Sequence, residues 1–463
     1  MMDRICVVGL GKVGLPLAAV WAEAGFEVRG FDTDEAAVQA MNLHSPRVFE
    51  PGLAEALESN RDRVAGFIGL KDAIIGAKLI LVVVPTPSLP SGNFDAHHVF
   101  EAVAAVHKLN LLFAQDPVVA VVSTVSPGTM SDIRRRFVDR PPRLVYSPTM
   151  VALGDAMRTL RFPDWRMAAS DDLDVRDELA DLLQELAFGI SGIYPPPHGP
   201  LRPHIIMTSF ASGELITLAS NAFVCAKIAF ANMLAPICSR IGADVGEVTD
   251  GLRMDHRIGP WFPQAGMPFG GPCFPRDLAA LENMIERVYD WHGDDYLGES
   301  SCLPDAINKQ NMTTSEEIAG LVIMDQSSMS TKGVRTVCLI GLGYKEDSAI
   351  IDASPSLMIA DILGGSGWRI VTSDPNAKED HTGGVELVGL DGIRDADAVI
   401  LCHRNLVDAP SVMEGIASSN RIGLVVDPWR QIGAAVRERL EYMGKRVIYF
   451  GRGAVPGRKR GER

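Results

Sequence analysis

Three glycines with the spacing Gly9-x-Gly11-x-x-Gly14 follow the β-branched run RICVV and precede an apolar stretch with helical periodicity. Glycine permits the tight turn between a strand and a helix, and it lets the helix pack closely against the strand. A strand–turn–helix unit of this kind is typical of an open sheet covered by helices. The opening therefore predicts an α/β fold for the N-terminal part of the chain.

Further strands are predicted in FEVRGFD, LILVVVPTP, VVAVVSTVSPGT and RLVYSPTM. Their lack of polar alternation indicates a parallel sheet buried on both faces. From about Ser209 to Leu252 no strand is indicated by the sequence, and the apolar run predicts a long buried helix. Strand signals return in RTVCLIGLGYK, which resembles the chain's own start. We predict an α/β protein with two Rossmann-like, doubly wound parallel-sheet domains, joined by a long central helix and a helical middle domain. The expected bounds are 1–205, 206–310 and 330–463.

The chain has 463 residues and a formal net charge of −14. Because nucleic acid and anionic membranes repel an acidic protein, neither is expected as its main partner. We find no stretch of about 18 uninterrupted apolar residues to span a bilayer. The seven cysteines are scattered without a CxxC pair, which argues against a disulfide framework and against a zinc site. We expect a cytoplasmic protein without a bound metal.

The glycine turn also predicts a dinucleotide. Asp32 ends the next strand about 20 residues later, where a carboxylate accepts hydrogen bonds from ribose hydroxyls and repels a 2′-phosphate. This favours NAD over NADP; the alternative is a glycine turn in an unliganded α/β fold. Thr86 and Thr124 follow later strands, at the sheet edge where ligands bind. The predicted cofactor-binding residues are Gly9, Gly11, Lys12, Val13, Gly14, Asp32, Thr86 and Thr124.

Ordered motifs run through nearly the whole chain: GLGKVGLPLA, FEPGLAEAL, VVVPTPS, STVSPGT, ASNAFVCAKIAFAN, DHRIGPWFPQAGMPFGGPCFPRDL and GLGYKEDSAIIDASPS. Together they resemble the UDP-glucose/GDP-mannose dehydrogenase family, the NAD-dependent nucleotide-sugar 6-dehydrogenases. The segment from Asp255 to Asp277 is the most specific part of the match. The resemblance implies a nucleotide-sugar substrate. It also implies a four-electron oxidation of the sugar C6 alcohol to a uronate, through a cysteine thiohemiacetal and a thioester.

The resemblance also implies roles for individual residues. Cys273 matches the family's nucleophile, Asp277 the aspartate that transfers protons with a bound water, and Asn221 the asparagine that holds the sugar oxygen. Thr124 matches a threonine near the catalytic water. The residues that match substrate contacts are Arg257, Phe269, Gly270, Gly271 and Lys345, and the family's counterpart of Arg257 reaches its site across a dimer interface. Outside the resemblance, Cys273 can be read as a buried thiol and Asp277 as a helix cap.

Four positions depart from the family pattern. Thr217 stands where the pattern Glu-Leu-x-Lys-x-x-x-Asn has its lysine, and Thr149 where Pro-Glu-Phe has the glutamate that assists thioester hydrolysis. Asp352 replaces an arginine that contacts the cofactor, and Met233 stands where a glutamate commonly follows asparagine. Loss of one electrostatic donor to an oxyanion typically slows a reaction by on the order of 10²–10³.

These departures leave three interpretations open. The protein is a nucleotide-sugar dehydrogenase with compensating residues, an unusual sugar or a different product such as an aldehyde. Alternatively, it is a catalytically weak paralogue that binds NAD and a nucleotide, or a dehydrogenase of another hydroxyl substrate. The apolar helix near 209–240 predicts a homodimer, because such a helix needs a partner surface. The segment YPPPHGPLRPH, residues 194–204, receives no role.

Overall fold

The computed structural model describes residues 3–47, 50–194, 204–292, 302–325, 335–378, 382–406 and 409–453. The chain divides into two compact units, Met1–Ala219 and Ser220–Arg463. Each unit contains one β-sheet between two hydrophobic cores. Most of the segment 194–204, residues 195–203, lies outside the described residues.

Strands and helices alternate through the first unit. In chain order they are β1 (Arg4–Val8), α1 (Gly14–Glu23), β2 (Glu27–Phe31), α2 (Glu35–Asn42), α3 (Leu53–Ser59), β3 (Val64–Phe67), α4 (Leu70–Ile74), β4 (Leu79–Val82), α5 (His97–Leu112), β5 (Val118–Val121), α6 (Thr129–Arg135), β6 (Leu144–Tyr146), α7 (Ala156–Arg161), β7 (Trp165–Ala169), α8 (Leu173–Ile193) and β8 (His204–Thr208). Helix α9 (Phe210–Ile241) begins in this unit and continues into the second.

The first sheet has the strand order β3-β2-β1-β4-β5-β6-β7-β8. Strands β1 to β6 are parallel, and Val7 of β1 lies between Gly30 of β2 and Leu81 of β4. The strand order changes direction between β1 and β4, which is the place where doubly wound sheets bind ligands. Strand β7 pairs antiparallel with β6 through Tyr146 and Ala169. The predicted parallel sheet is therefore confirmed: its five predicted strands are parallel, β3 joins them in parallel at one edge, and β7 and β8 extend the other edge.

Alternate residues of β1 enter different cores. Ile5 and Val7 pack in the cluster that contains Trp21 of α1, whereas Cys6 and Val8 pack in the cluster on the opposite face. Complete burial of such a side chain contributes about 1.5–3 kcal/mol. Apolar residues at consecutive positions are thus explained by a sheet that is covered on both faces.

The second unit begins with the remainder of α9 and continues through a helical stretch to a second sheet. Its further elements are α10 (Val245–Met254), α11 (Phe274–His292), α12 (Cys302–Met324), β9 (Thr336–Ile340), α13 (Pro355–Gly365), β10 (Arg369–Ser373), β11 (Glu386–Leu387), α14 (Leu390–Ile393), β12 (Ala398–Leu401), α15 (Pro410–Ser418), β13 (Leu424–Asp427), α16 (Ala434–Tyr442) and β14 (Arg446–Tyr449).

The second sheet repeats the topology of the first. Its strand order is β11-β10-β9-β12-β13-β14, and every pair is parallel. Val337 and Leu339 of β9 enter one core, and Cys338 and Ile340 enter the other. The predicted second doubly wound domain is confirmed. The domain bounds themselves stay a prediction.

The long central helix that the sequence predicted is α9, with 32 residues. Within the described chain it is the one helix long and apolar enough to cross a membrane, with a mean hydropathy of 1.6, and 39% of that apolar window is buried. Long helices in protein cores satisfy the same two criteria, so length and composition do not distinguish the two cases.

Candidate active site

In the glycine turn after β1, two positions have no room for a side chain and the third faces open space. A Cβ atom on Gly9 would lie 2.1 Å from the carbonyl oxygen of Val83, and one on Gly14 would lie 1.8 Å from that of Gly9. Gly9 also has a φ of +102°, which favours glycine. A Cβ atom on Gly11 would meet no protein atom within 4 Å. The turn thus requires two of its glycines for the fold and leaves open space beside the third.

Asp32 fastens the end of β2 to this turn. Its Oδ2 atom accepts a hydrogen bond from the backbone N–H of Leu10 at 2.7 Å, and its Oδ1 atom accepts one from Asp34 at 2.9 Å. Each carboxylate oxygen has a second lone pair with which it can accept from a ribose hydroxyl. Asp32 therefore both shapes the turn and keeps the acceptors that a dinucleotide needs.

Thr86 and Thr124, at the ends of two adjacent strands, lie together. The Thr86 hydroxyl donates to the carbonyl oxygen of Thr124 at 2.8 Å. Ser123 adds a second link: its Oγ accepts from the N–H of Val84 at 2.9 Å and donates to the carbonyl of Val84 at 2.6 Å. The sequence predicted both threonines at this sheet edge, and Ser123, next to Thr124 in STVS, lies there with them.

These residues fit a dinucleotide. The open side of Gly11 borders the start of α1, where Lys12 is exposed and Val13 is the N-cap residue. A helix N-terminus attracts phosphate through its free N–H groups and its dipole. The turn also lies where the strand order reverses. The individual cofactor contacts stay predictions.

Cys273 differs from the other cysteines whose surroundings the structure describes. Five of them, Cys6, Cys225, Cys238, Cys338 and Cys402, are buried, and Cys273 is half-buried. It immediately precedes α11, and its carbonyl oxygen accepts a 2.8 Å bond from the N–H of Asp277 in the first helical turn. Among the described cysteines, Cys273 is thus the one whose side chain is half-buried, and its role as the nucleophile stays a prediction.

Asp277 and Asn221 lie together in the second unit. Asp277 has 1% of its surface exposed, and its Oδ2 atom accepts a 2.6 Å hydrogen bond from Nδ2 of Asn221 on α9. Arg276 donates to the other oxygen at 3.3 Å. Burial raises the pKa of Asp277, against the charge of Arg276 and the bond from Asn221. A buried carboxylate with a raised pKa is a better proton acceptor than an exposed one.

The same surroundings act on Cys273. Burial raises the pKa of its thiol, the charge of Asp277 raises it further, and Arg276 lowers it. In the resting protein the thiol consequently holds its proton. Sequence reasoning missed the part of Arg276, although its position between the two predicted residues in CFPRD was a signal.

Phe269, Gly270 and Gly271 form a tightly packed turn. The N–H and C=O groups of Phe269 both bond Asn311 of α12, at 2.8 and 2.9 Å. A Cβ atom on Gly270 would lie 2.1 Å from the carbonyl oxygen of Ala353. One on Gly271, whose φ is +87°, would lie 2.4 Å from the ring of Tyr344. The turn is thus fixed by protein contacts, and its role as a nucleotide cradle stays a prediction.

Lys345 and Arg257 occupy different surroundings. Lys345 is half-buried in the loop after β9, and its Nζ atom lies 5.7 Å from the ring centroid of Tyr344. Arg257 lies after α10 with 78% of its side chain exposed and pairs with Asp255. An arginine so exposed is available to another molecule, as its expected role across an interface would require.

The departures from the family pattern have distinct positions. Thr217 is 2% exposed, and its hydroxyl donates to the carbonyl of Gly213 at 3.1 Å. Thr149 is half-buried in the loop after β6, whereas Asp352 is exposed, and Met233 is 39% exposed on α9. None of these side chains supplies the charge that the family residue carries.

Glu214 is a further residue whose part the sequence did not indicate. It is fully buried, and its two oxygens accept from the N–H groups of Gly128 and Met130 at the start of α6, both at 2.7 Å. Burial raises the pKa of Glu214 to about 7. The residue was visible in the Glu-Leu-x-Lys pattern, but the pattern alone gave no partner for it. It fastens α9 to the loop that follows Thr124.

Known proteins resemble this chain over most of its length. The NAD binding domain of the UDP-glucose/GDP-mannose dehydrogenase family matches residues 3–184, and the central domain of the family matches residues 211–291. UDP-glucose 6-dehydrogenase TuaD of Bacillus subtilis (strain 168) is 30% identical over 380 residues, which is 81% of this chain and 77% of the relative.

Solved structures share the fold. A UDP-glucose dehydrogenase from Pyrobaculum islandicum superposes with a TM-score of 0.79 at 24% identity, covering 97% of this chain and 98% of its own. A UDP-D-ManNAc dehydrogenase from Pyrococcus horikoshii gives 0.77 at 20% identity, covering 97% and 99%. With the domain matches and a dinucleotide turn in place, the chain belongs to the UDP-glucose/GDP-mannose dehydrogenase family and is an NAD-dependent oxidoreductase that acts on CH–OH groups.

Proposed function

We propose that the protein oxidises the C6 alcohol of a UDP-hexose to a uronate, with two equivalents of NAD and with Cys273 as the covalent nucleophile. The observation that carries the proposal is the group at the start of α11. A half-buried thiol stands there beside a buried carboxylate, which Asn221 holds at 2.6 Å. The Bacillus subtilis relative, which is 30% identical, is a UDP-glucose 6-dehydrogenase, and this supports a UDP-hexose as the substrate class.

Cys273 starts as a thiol because its pKa is raised. Its proton must leave before the sulfur can attack a carbonyl carbon, since the thiolate is the nucleophile. The sulfur then forms a bond to C6 of the aldehyde, and the aldehyde oxygen takes up a proton to give a thiohemiacetal. After the second oxidation water attacks the thioester, the C–S bond breaks and the thiol is regenerated with the uronate.

Asp277 is placed to exchange these protons through water. Its raised pKa suits a group that must accept a proton from one species and return it to another. Asn221 holds one of its oxygens, so the carboxylate keeps its orientation as its charge changes. Arg276 limits how far the pKa of either group rises.

The glycine turn, Asp32 and the Thr86–Thr124 edge would hold NAD, which would supply the hydride acceptor for each oxidation. Gly11 leaves open space for phosphate groups near the N-terminus of α1, which would attract them. The Asp32 carboxylate selects a ribose without a 2′-phosphate.

The threonines at two family positions predict a slow enzyme. Thr217 offers no ammonium group to a developing oxyanion, and its hydroxyl is bonded to Gly213. Thr149 offers no carboxylate to assist hydrolysis of the thioester. Since the missing oxyanion donor alone costs about 10²–10³ in rate, turnover should fall by at least that order below a family member with both groups.

We also propose that the protein works as a cytoplasmic homodimer. The second-unit part of α9 exposes Phe223, Phe230 and Ile237 at intervals of seven residues, which is two helical turns. Exposed aromatic side chains in one stripe are typical of a surface that a partner covers. The exposed Arg257 agrees with its expected role in a partner's site.

The test is NADH formation from a panel of UDP-sugars and GDP-mannose by wild-type protein, Cys273→Ser and Cys238→Ala. Cys238 is a buried thiol on α9 and serves as the matched control. We expect UDP-glucose or another UDP-hexose to be oxidised, with Cys273→Ser reduced at least 10³-fold, on the order expected for removal of a nucleophile. An unimpaired Cys273→Ser would contradict the proposal.

A second candidate function is a weak NAD- and nucleotide-binding paralogue, which Thr149, Thr217 and Asp352 favour because each lacks the family charge. The same panel separates the two. NAD binding without turnover of any sugar nucleotide would select the paralogue.

A further inference from the structure

Arg166 is a buried arginine in the first unit that the proposed reaction does not use. It lies on β7 with 7% of its surface exposed, on the side of the sheet that faces α1 and α8. One of its terminal amino groups donates to the carbonyl oxygen of Leu160 at 3.1 Å. Its Nε–H is buried and finds no hydrogen-bond acceptor in the described part of the chain.

The charge of Arg166 is not balanced by a carboxylate among the described residues. Burial alone lowers its pKa to about 10, without an opposing acidic neighbour. Arg161, in the same unit, shows the usual arrangement: its guanidinium bonds both oxygens of the buried Glu23, at 2.9 and 2.7 Å. Buried charges are normally paired in this way because an isolated one is strongly destabilising.

A cavity of about 30 Å³ lies next to Arg166. Its lining residues include two tryptophans, Trp21 and Trp165, and three residues with hydroxyl groups, Ser147, Thr149 and Thr159. Since one water molecule needs about 10–15 Å³ of cavity volume, the cavity has room for two waters or for one small anion. Sulfate, phosphate and larger anions do not fit this volume.

Of the three hydroxyl groups among the lining residues, two already donate their protons to the protein. Ser147 and Thr159 donate their protons to backbone carbonyls, at 2.7 and 3.1 Å. Thr149 makes no side-chain hydrogen bond to any residue that the structure describes, so its proton is available. The cavity is therefore lined by Arg166, whose charge no described carboxylate balances, and by Thr149, whose hydroxyl proton is available. Water can accept from the hydroxyl but leaves the arginine charge unbalanced, whereas an anion meets both needs.

We propose that this cavity binds a small monovalent anion between Arg166 and Thr149. The two sources with this chemistry are a halide ion and the carboxylate of a small acid such as formate. The proposal is independent of the proposed function, because it rests on the unpaired guanidinium and the adjoining cavity and on neither Cys273 nor the substrate.

The first experiment measures the thermal unfolding midpoint of wild-type protein and of Arg166→Met at constant ionic strength. Sodium gluconate, whose anion is too large for the cavity, is replaced stepwise by sodium chloride or sodium formate. We expect the wild-type midpoint to rise by about 2–4 °C at an anion concentration ten times its dissociation constant. Arg166→Met should not respond, and in gluconate it should unfold no earlier than wild type, since it removes an unpaired charge.

The matched control is Arg143→Met, which removes an arginine that is already paired with Glu178. It should keep the wild-type response to chloride or formate. A response to chloride alone identifies a halide site, and a response to formate identifies a carboxylate site. Equal responses of wild type and Arg166→Met would overturn the proposal.

The second experiment does not depend on the folding of a variant. Crystals of the wild-type protein in sodium bromide should give an anomalous peak beside the Arg166 guanidinium if the site takes a halide. Crystals in formate should show planar density there if it takes a carboxylate. Water or no density in both crystals would overturn the proposal.

Discussion

At the scale of single residues, the charge of Asp277 influences the protonation of Cys273. Asp277 is buried and Cys273 is half-buried, and each has a raised pKa for which burial is the main cause. The charge of Asp277 opposes ionisation of the thiol, and Arg276, between them in sequence, favours it. The thiol of such a nucleophile stays protonated until substrate binding or a base removes its proton.

This arrangement predicts the reactivity of Cys273 toward iodoacetamide. Asp277→Asn removes a charge that raises the thiol pKa, so the pKa should fall and thiolate should appear at lower pH. At a fixed pH below that pKa, alkylation of Asp277→Asn should become several-fold faster than that of wild type, because more of the thiol is ionised. Mass spectrometry of the Cys273 peptide between pH 6 and 10 gives the rates.

Arg276→Met is the control of opposite sign, because its charge lowers the thiol pKa. Alkylation should be slower in this variant than in wild type. If both substitutions changed the rate in the same direction, the electrostatic account of the pair would be wrong.

The sequence predicted Cys273, Asp277 and Asn221 as neighbours only through a family resemblance. Asn221 is 56 residues from Asp277, and that distance is closed by the packing of α9 against α11, which no local pattern encodes. Arg166 was not predicted at all. An arginine in the run DWRMAAS looks like an exposed charge, and only the covering helices make it buried.

At the scale of elements, the glycines of the turn between β1 and α1 serve two different purposes, packing of the fold and access for the cofactor. Gly14 faces the carbonyl of Gly9 at a distance that no Cβ atom could occupy, whereas Gly11 faces open space. Both glycines belong to one sequence motif. Their geometry nevertheless assigns them different functions, the first in packing and the second in access to the cofactor.

Two alanine substitutions test this division. Gly11→Ala should leave the unfolding midpoint within about 2 °C of wild type, because its Cβ meets no protein atom, yet weaken NAD binding at least tenfold by filling the space for phosphate. Gly14→Ala should lower the free energy of unfolding by on the order of 2–3 kcal/mol through overpacking. Calorimetry measures NAD affinity and thermal unfolding measures stability. Equal stability losses in the two variants would contradict the division.

Most elements follow from local patterns, and the exceptions have physical causes. Unbroken apolar runs correctly indicated β1, β4, β5 and β9, since each lies between two cores. The same logic gave no warning that β7 runs antiparallel to β6. Strand direction depends on how the intervening segment crosses the sheet, and α7 is a short helix that leaves either direction open.

At the scale of the whole molecule, the chain uses one topology twice. Both sheets have the same order of six parallel strands, and an aspartate at the end of the second strand of each bonds the turn after the first. In the second unit this residue is Asp374, whose Oδ2 atom accepts from Leu342 and Gly343 at 2.7 and 3.0 Å. The sequence repeat GLG predicted the similarity.

The second glycine turn differs from the first in one respect. A Cβ atom on Gly343 would lie 2.1 Å from the carbonyl oxygen of Ser348, whereas the equivalent position at Gly11 is open. The repeated motif thus forms the same turn in both units, but the open space beside Gly11 has no counterpart beside Gly343. The sequence shows the shared glycines but not which of them face solvent.

The exposed stripe on α9 predicts the assembly state. Phe230→Glu places a charge among Phe223, Phe230 and Ile237 and should convert a dimer of twice 50.0 kDa into a monomer. Light scattering after gel filtration gives the mass. Leu112→Glu, at a still more exposed apolar position on α5, is the control and should stay dimeric. An unchanged mass for Phe230→Glu would show that this face of α9 does not form the dimer interface.

The central claim is a four-electron oxidation through Cys273, and the measurement that tests it most directly is the number of NADH molecules formed per sugar nucleotide consumed. Wild-type protein with its UDP-hexose should give two NADH and one uronate, identified by mass spectrometry. Cys273→Ser should give no uronate. One NADH with a released aldehyde from wild type, or two NADH and a uronate from Cys273→Ser, would contradict the account.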